Sequence, residues 1–451
     1  MTPMGYLVRR FFLLGAFLLG GPIVSGADLP KGRVLQKVAC AADASQTYAL
    51  YVPSNFEAGR TWPVLFCFDP GAWGWSPVER FHAAAEQLGY IVVGSNNSRN
   101  GPWEANATAI SAVFKDVATY FPINPKRVYV AGLSGGARVA CHVAMAGLAQ
   151  GVVACSAAFM AGETPPKVPF PFFGTAGVTD FNYLELRRTD RELEDRRVAH
   201  RVIIHSGGHE WLSTGLALEA LAWLDLQAMR TGTKAKEAAW IQAQFEARSA
   251  AVPPSPAIAH FFELRSLAAD FKGLVDTAAL DRQVATLAAS REIRDGLKAE
   301  RTWDRREEGL RDDLLGSMQE GFVSDVRKAA AELRAKAEKA DDVRQRQMAT
   351  RVLQSAYSNC SENARALLRV KDYGAAATQF EMMTVLRPER VQAFFDLART
   401  RALLGDKKRA IEALRQAAAA GFKDTARVEQ EPAFAALKQD PGFQAVVSAM
   451  K

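Results

Sequence analysis

The sequence predicts an α/β chain: a mainly parallel sheet covered by helices on both faces, followed by an all-α region. Three observations predict it. Up to about residue 230, continuous apolar runs of strand length alternate with amphipathic stretches, and such runs belong to strands buried on both faces. Beyond that point the chain turns to Ala, Arg, Glu, Lys and Leu at helical spacing. Within this later part, two segments repeat at a spacing of 34 residues, a period that stacked helix pairs adopt.

The elements follow in order. In "MTPMGYLVRRFFLLGAFLLGGPIVSGADLP", Arg9 and Arg10 precede an apolar run from Phe11 to Leu19, and Ser25 and Ala27 stand just before Asp28. A basic start, an apolar run too short to span a bilayer and a small-x-small site together make an export signal over residues 1–27. The mature chain is then expected to be periplasmic or secreted, without a transmembrane anchor. The route stays open: Arg9 and Arg10 with Phe12 and Leu13 partly match a twin-arginine signal, but Val8 stands where Ser or Thr is usual. Strands are expected at "TYALYVP", "PVLFCFD", "YIVVGSN", "RVYVAG", "GVVACSAAF", "PFPFFGT" and "HRVIIHSGG". Between many of them lie "SPVERFHAAAEQLG", "ANATAISAVFKDVATYF", "GARVACHVAMAG" and "LELRRTDRELEDRR", all helical in pattern. In a sheet built this way, ligands bind at the carboxyl ends of the strands.

Composition sets the outer limits. With 451 residues, 49% of them apolar, the chain can bury at least one large core. The expected division is 28–230 for the sheet domain, 231–256 for a linker or first connecting helix, 257–356 for a charged helical region and 357–451 for helical repeats. The breaks are placed at "AMRTGTKAKEAA" and "AAVPPSPAIAH". The net charge of +7 is spread among Glu and Asp rather than clustered, so it points to solvated helix faces and argues against a nucleic-acid partner. Five cysteines, Cys40, Cys67, Cys141, Cys155 and Cys360, show no CxxC or metal-type spacing. Cys67 and Cys155 sit in apolar runs and read as buried small hydrophobes. No metal and no organic cofactor is implied.

One motif carries chemistry. "GLSGG", Gly132 to Gly136, follows the strand "RVYVA" and opens the helix "GARVACHVAMAG". A G-x-S-x-G on a strand-to-helix turn lifts its serine above the sheet edge, which marks Ser134 as a nucleophile. A serine hydroxyl needs a base within reach and an acid to orient that base. Of six histidines, His209 lies on a Gly-rich loop just past the last apolar strand, in "HRVIIHSGGHEW". His205, which ends that strand, is the rival and suits local packing better. His82 and His142 fall in helical segments and His260 in the later region. The acid is expected from the loop after the preceding strand, where "PFFGTAGVTDFNYLEL" offers Asp180, with Glu185 as the alternative.

The order Ser134, Asp180, His209 is that of α/β-hydrolases. From about Thr47 to Arg230, through "PVLFCFDPG", "GYIVVGSNNSRNGPW", "VAGLSGGARVA", "FFGTAGVTDFNY" and "GGHEW", the chain resembles exported esterases of that fold, similar to polyhydroxybutyrate depolymerase, feruloyl esterase and dienelactone hydrolase-like proteins. Two departures are visible: "FDPGAWGW" stands where such esterases carry a His-Gly loop, and Gly177 stands where many of them place the acid. The resemblance implies an α/β-hydrolase fold and hydrolysis through an acyl-enzyme. The oxyanion needs preorganised N–H donors; Gly135 is expected to supply one and Gly71 or Ala72 the other. Trp73, Trp75, Asn96, Asn97, Arg99 and Trp103 lie on loops at the same edge and either line a substrate pocket or make ordinary turns.

In the later part, "KDYGAAATQF" and "GDKKRAIEAL" align so that Asp372 matches Asp406 and Ala376 matches Ala410. From about 357 to 424 this resembles tetratricopeptide repeats, which implies either a surface for a protein partner or a helical appendage. The function expected is an exported serine hydrolase acting on a small or polymeric carboxylic ester. Peptidase or amidase chemistry is the alternative within the class, and a non-catalytic scaffold that gathers partners is the alternative outside it.

Overall fold

A computed structural model describes residues 29–160 and 163–450; the expected export signal at 1–27 lies outside them. Eight strands form one sheet: β1 (Val34–Cys40), β2 (Asp43–Tyr51), β3 (Trp62–Phe68), β4 (Ile91–Ser95), β5 (Ile123–Leu133), β6 (Val152–Cys155), β7 (Phe172–Gly177) and β8 (His200–His205). Their order is β1-β2-β4-β3-β5-β6-β7-β8. β2 pairs antiparallel with β1 and β4, and every other pairing is parallel. Strand order and helical crossovers make this an α/β-hydrolase fold. The strand that the apolar pattern does not announce is β1, half exposed and bulged along its pairing with β2. An edge strand of this kind lacks the continuous apolar run that marks a buried one.

The crossovers are α1 (Trp75–Leu88), α2 (Trp103–Tyr120), α3 (Gly135–Met145), α4 (Tyr183–Asp195) and α5 (Thr214–Arg230). Side chains alternate across β3. Val64, Phe66 and Phe68 join one core with α2, α3 and α4, whereas Leu65 and Cys67 join the other with α1 and α5. All five cysteines are buried and unpaired. Burial pushes the Cys155 thiol up to about 11 and that of Cys40 to about 12, which keeps both inert at neutral pH.

The composition changes near residue 230, but the packing does not. The first compact unit runs to Ala299 and the second starts at Glu300. The segment expected to link or connect, 231–256, contains α6 (Ala238–Ala250), followed by α7 (Ala257–Phe271) and α8 (Ala278–Ala289). Ile241, Leu267 and Phe271 bury themselves with Leu226 and Met229 of α5. Asp270 of α7 is buried and accepts from Trp223 Nε1 at 2.6 Å, Arg201 Nη1 at 3.0 Å and Arg248 Nη1 at 2.6 Å. Burial pushes its carboxyl up to about 6 against the pull of Arg201. His260 is thus a residue of the first unit, its Nδ1 2.9 Å from the Pro253 carbonyl. The shift in composition marks the end of the strands, not the end of the packed body. A fragment ending at Ala299 is therefore expected to melt cooperatively and to keep the ester turnover proposed below. One ending at residue 235 leaves Leu226 and Met229 in water and removes the Asp270 partner of Arg201, a loss of several kcal/mol. Circular dichroism melts of the two fragments compare them directly.

The second unit is helical: α9 (Arg291–Gln319, shared across the division), α10 (Val323–Lys339), α11 (Val343–Arg369), α12 (Tyr373–Leu386), α13 (Gln392–Leu403), α14 (Lys407–Ala419), α15 (Thr425–Gln430), a 3₁₀ turn at Pro432–Leu437 and α16 (Pro441–Met450). The 34-residue spacing falls on two like turns. Lys371 and Gly405 are left-handed at φ 61° and 84°. The next residues, Asp372 and Asp406, cap α12 and α14 by accepting from Ala375 and Arg409 N–H. Ala376 and Ala410 are both fully buried. A left-handed Lys costs about 1–2 kcal/mol where Gly costs only entropy. Lys371→Gly is accordingly expected to stabilise the chain by about 0.5–1 kcal/mol, read as a higher urea midpoint at unchanged slope.

Candidate active site

The carboxyl ends of β3 to β8 carry the candidate residues. Ser134 follows β5 at φ 53° and ψ −121°, a strained corner for a residue with a Cβ. The glycines around it make the corner sterically feasible. A Cβ on Gly132 would stand 2.1 Å from the Gly136 carbonyl carbon, and one on Gly136 would stand 1.9 Å from the Phe68 carbonyl oxygen. Strand β5, helix α3 and the end of β3 thus meet backbone to backbone beneath the serine. As the first residue of α3, Gly135 has an N–H without an intrahelical acceptor.

Asp180 follows β7, two strands away, and His209 follows β8, three strands away; His209 Nδ1 lies 2.9 Å from Asp180 Oδ1. Asp180 is fully buried, and the same oxygen accepts from Asn182 N–H at 2.9 Å. Its Oδ2 is buried without a protein partner. Phe181 stacks on the His209 ring with centroids 4.0 Å apart, so the imidazole is held by its edge and by one face. The carboxylate that reaches His209 stands at 180 and not at 177 for a steric reason. A Cβ on Gly177 would stand 2.1 Å from the Gly207 carbonyl oxygen, so β7 and the histidine loop approach too closely for a side chain there.

The rivals are engaged elsewhere. His205 Nδ1 accepts from Gly207 N–H at 3.0 Å and shapes the start of the histidine loop. Glu185 forms a two-pronged pair with Arg138 at 2.9 and 2.8 Å and accepts from Ala158 N–H at 2.9 Å, which ties α4 to α3. His142 packs edge-on against Trp103 at 4.3 Å. The His82 Nδ1 lies 2.9 Å from the Glu79 carbonyl.

The remaining loop residues divide. Trp73 and Trp75 stand 63% and 44% exposed after β3, so they are available to a ligand. Arg99 is exposed and its backbone bridges to Gly71. Asn96 and Asn97 are spent on structure: Asn97 accepts from Thr47 N–H at 2.8 Å and donates to the Ser45 carbonyl at 3.0 Å, and Asn96 donates to the Gln36 carbonyl at 3.1 Å. Gly71 and Ala72 carry the amides expected for the oxyanion. In this structure Gly71 N–H donates to Asp69 Oδ1 at 2.8 Å and Ala72 N–H to the Asp69 carbonyl at 3.2 Å. An aspartate two residues upstream captures such an N–H as a matter of course.

Two residues stand out that the sequence pattern does not mark. Asp69 is buried, and its Oδ2 accepts from Trp211 Nε1 at 2.8 Å, so one carboxylate holds the loop after β3 to the segment just beyond His209. Asn100 is the other; its backbone N–H donates to the Pro70 carbonyl at 2.9 Å. Nothing in "FDPG" or "NNSRNG" separates these residues from ordinary turn formers.

No family model matches the chain. No curated protein matches it either. Among solved structures it is similar to the fluorophosphonate-binding serine hydrolase FphF of Staphylococcus aureus, with 13% identity, 43% of this chain and 99% of that one covered, and a TM-score of 0.35. It is also similar to an esterase of Pyrobaculum calidifontis, with 13% identity, coverage of 45% and 88%, and a TM-score of 0.37. A ferulic acid esterase aligns at 16% identity, with coverage of 42% and 95% and a TM-score of 0.35.

Proposed function

We propose that the chain is an exported serine hydrolase that cleaves carboxylic esters through an acyl-enzyme on Ser134. The observation that carries this reading is the 2.9 Å bond from His209 Nδ1 to buried Asp180, set on the same sheet edge as the strained Ser134 corner. With Nδ1–H held by the carboxylate, the imidazole keeps its proton on that side and leaves Nε2 as the base. His209 takes the Ser134 proton as Oγ attacks the ester carbonyl, and returns it to the leaving alcohol. Water then repeats the cycle on the acyl group, with Asp180 stabilising the transient imidazolium. Gly135 N–H, at the start of α3, is directed to the developing oxyanion. The exposed Trp73 and Trp75 offer an apolar rim for the acyl or alcohol part. Export is supported by Arg9, Arg10 and the apolar run after them. The like turns at Lys371 and Gly405 support the reading of residues 357–424 as tetratricopeptide-like.

The test is to treat the full chain with a fluorophosphonate, map the adduct by peptide mass spectrometry and assay a series of p-nitrophenyl esters. An adduct on Ser134 with turnover of at least one ester is expected. A chain that neither labels nor turns over any ester in the series would be the scaffold alternative.

A further inference from the structure

An acyl-transfer site needs at least two donors for its oxyanion, and here one is unaccounted for, because the Gly71 and Ala72 amides are spent on Asp69. Beside Gly135 stands a side-chain donor. The Asn100 carboxamide lies directly over Gly135: an ideal Cβ there would stand 1.8 Å from Asn100 Oδ1, 2.8 Å from Cγ and 3.4 Å from Nδ2. The carboxamide thus fills the space that a side chain at position 135 would occupy, beside Ser134. Its backbone is pinned to the loop after β3 through the Pro70 carbonyl, and its side chain donates to no acceptor among the described residues.

The geometry points to Asn100 as the second oxyanion donor, an inference that rests on the acyl-transfer reading above. An ideal Cβ sits about 2.5 Å from its own backbone nitrogen, so Asn100 Nδ2 is at most about 6 Å from Gly135 N. Two donors that each reach one oxygen at about 2.7–3.1 Å are separated by no more than about 6 Å. That separation lets a single carbonyl oxygen lie within reach of both Gly135 N–H and Asn100 Nδ2. In the step itself, Ser134 Oγ bonds to the carbonyl carbon as its proton passes to His209 Nε2. The carbonyl π pair moves onto the oxygen, where Gly135 and Asn100 donate to it. Collapse returns that pair, expels the alkoxide and gives it the proton from His209. A side-chain donor also explains the glycine: any larger residue at 135 drives the carboxamide away.

The experiment compares wild type, Asn100→Ala, Asn100→Asp, Gly135→Ala and the Asn100→Ala/Gly135→Ala double variant on p-nitrophenyl acetate, with end-point fluorophosphonate labelling of each. Asn100→Asp keeps the shape and removes the donor. Gly135→Ala keeps the backbone donor and displaces the side chain. The expected result is a fall in kcat of about 10²-fold in each single variant, KM within about threefold, labelling still reaching Ser134, and a double variant no worse than either single one. A kcat for Asn100→Ala within threefold of wild type overturns the assignment, as does a rise in KM alone, which would make Asn100 a ground-state binder. Additive losses in the double variant also overturn it, because Gly135→Ala would then act independently of Asn100. If wild type itself neither labels nor turns over ester, the acyl-transfer reading falls and this inference with it, an outcome distinct from the others.

Discussion

Ser134→Ala is expected to abolish fluorophosphonate labelling and to lower kcat/KM by on the order of 10⁴-fold or more, because the members of a triad act as one unit. The same reasoning sets the double variant. Ser134→Ala/His209→Ala should be no slower than Ser134→Ala, since a base with no nucleophile to deprotonate contributes nothing further. Stability moves the other way. Ser134 holds φ 53° and ψ −121°, a strain of about 1–3 kcal/mol for a residue with a Cβ, so Ser134→Gly should melt above wild type while remaining inactive. Ser134→Ala keeps the Cβ and should melt close to wild type. Steady-state kinetics on a small activated ester, with thermal melts alongside, read both effects. Undiminished turnover by Ser134→Ala would remove the assignment of the nucleophile.

How far the sequence exposes this molecule depends on whether a feature is local. The Ser134 corner is legible because its requirements lie within five residues: Gly132 and Gly136 must lack side chains for β5, α3 and Phe68 to meet. The sheet is legible where strands are buried on both faces, as in "PVLFCFD", and not at β1, whose half-exposed residues carry no comparable pattern. The His209 and Asp180 positions are legible from their places after the last two strands. Asp69 and Asn100 are not, since their meaning depends on Trp211 and Gly135, which are distant in the chain and adjacent only after folding. The same limit misplaces the end of the first body. Asp270 looks like one more charge on a helix, and only the fold shows it buried against Arg201, Arg248 and Trp223. Asn96 and Asn97, which the sequence leaves open between pocket lining and turn-making, fasten β2 and β1 by hydrogen bonds to partners distant in the chain.

Asp180→Asn is expected to lower kcat/KM by on the order of 10⁴-fold with little change in fold, and the surroundings of Asp180 explain why neither orientation of the amide rescues it. Asp180 Oδ1 accepts from both His209 Nδ1 and Asn182 N–H. If the asparagine oxygen takes that place, both bonds survive, but the NH₂ lands where Oδ2 lies buried without a partner, and the negative charge that stabilises the imidazolium is gone. If the amide flips, its NH₂ faces Asn182 N–H as donor against donor. It also presents a donor to His209, which must then accept at Nδ1 and carry its proton on Nε2, the atom that has to take the proton of Ser134. The first orientation loses the charge and the second loses the base. Glu185→Gln is the control. Glu185 is committed to Arg138 and Ala158 N–H, so its loss should lower the melting temperature while leaving kcat/KM within about tenfold. Kinetics and melts of the two variants side by side distinguish the acids. A large kinetic loss in Glu185→Gln together with a mild one in Asp180→Asn would move the role of the acid to α4.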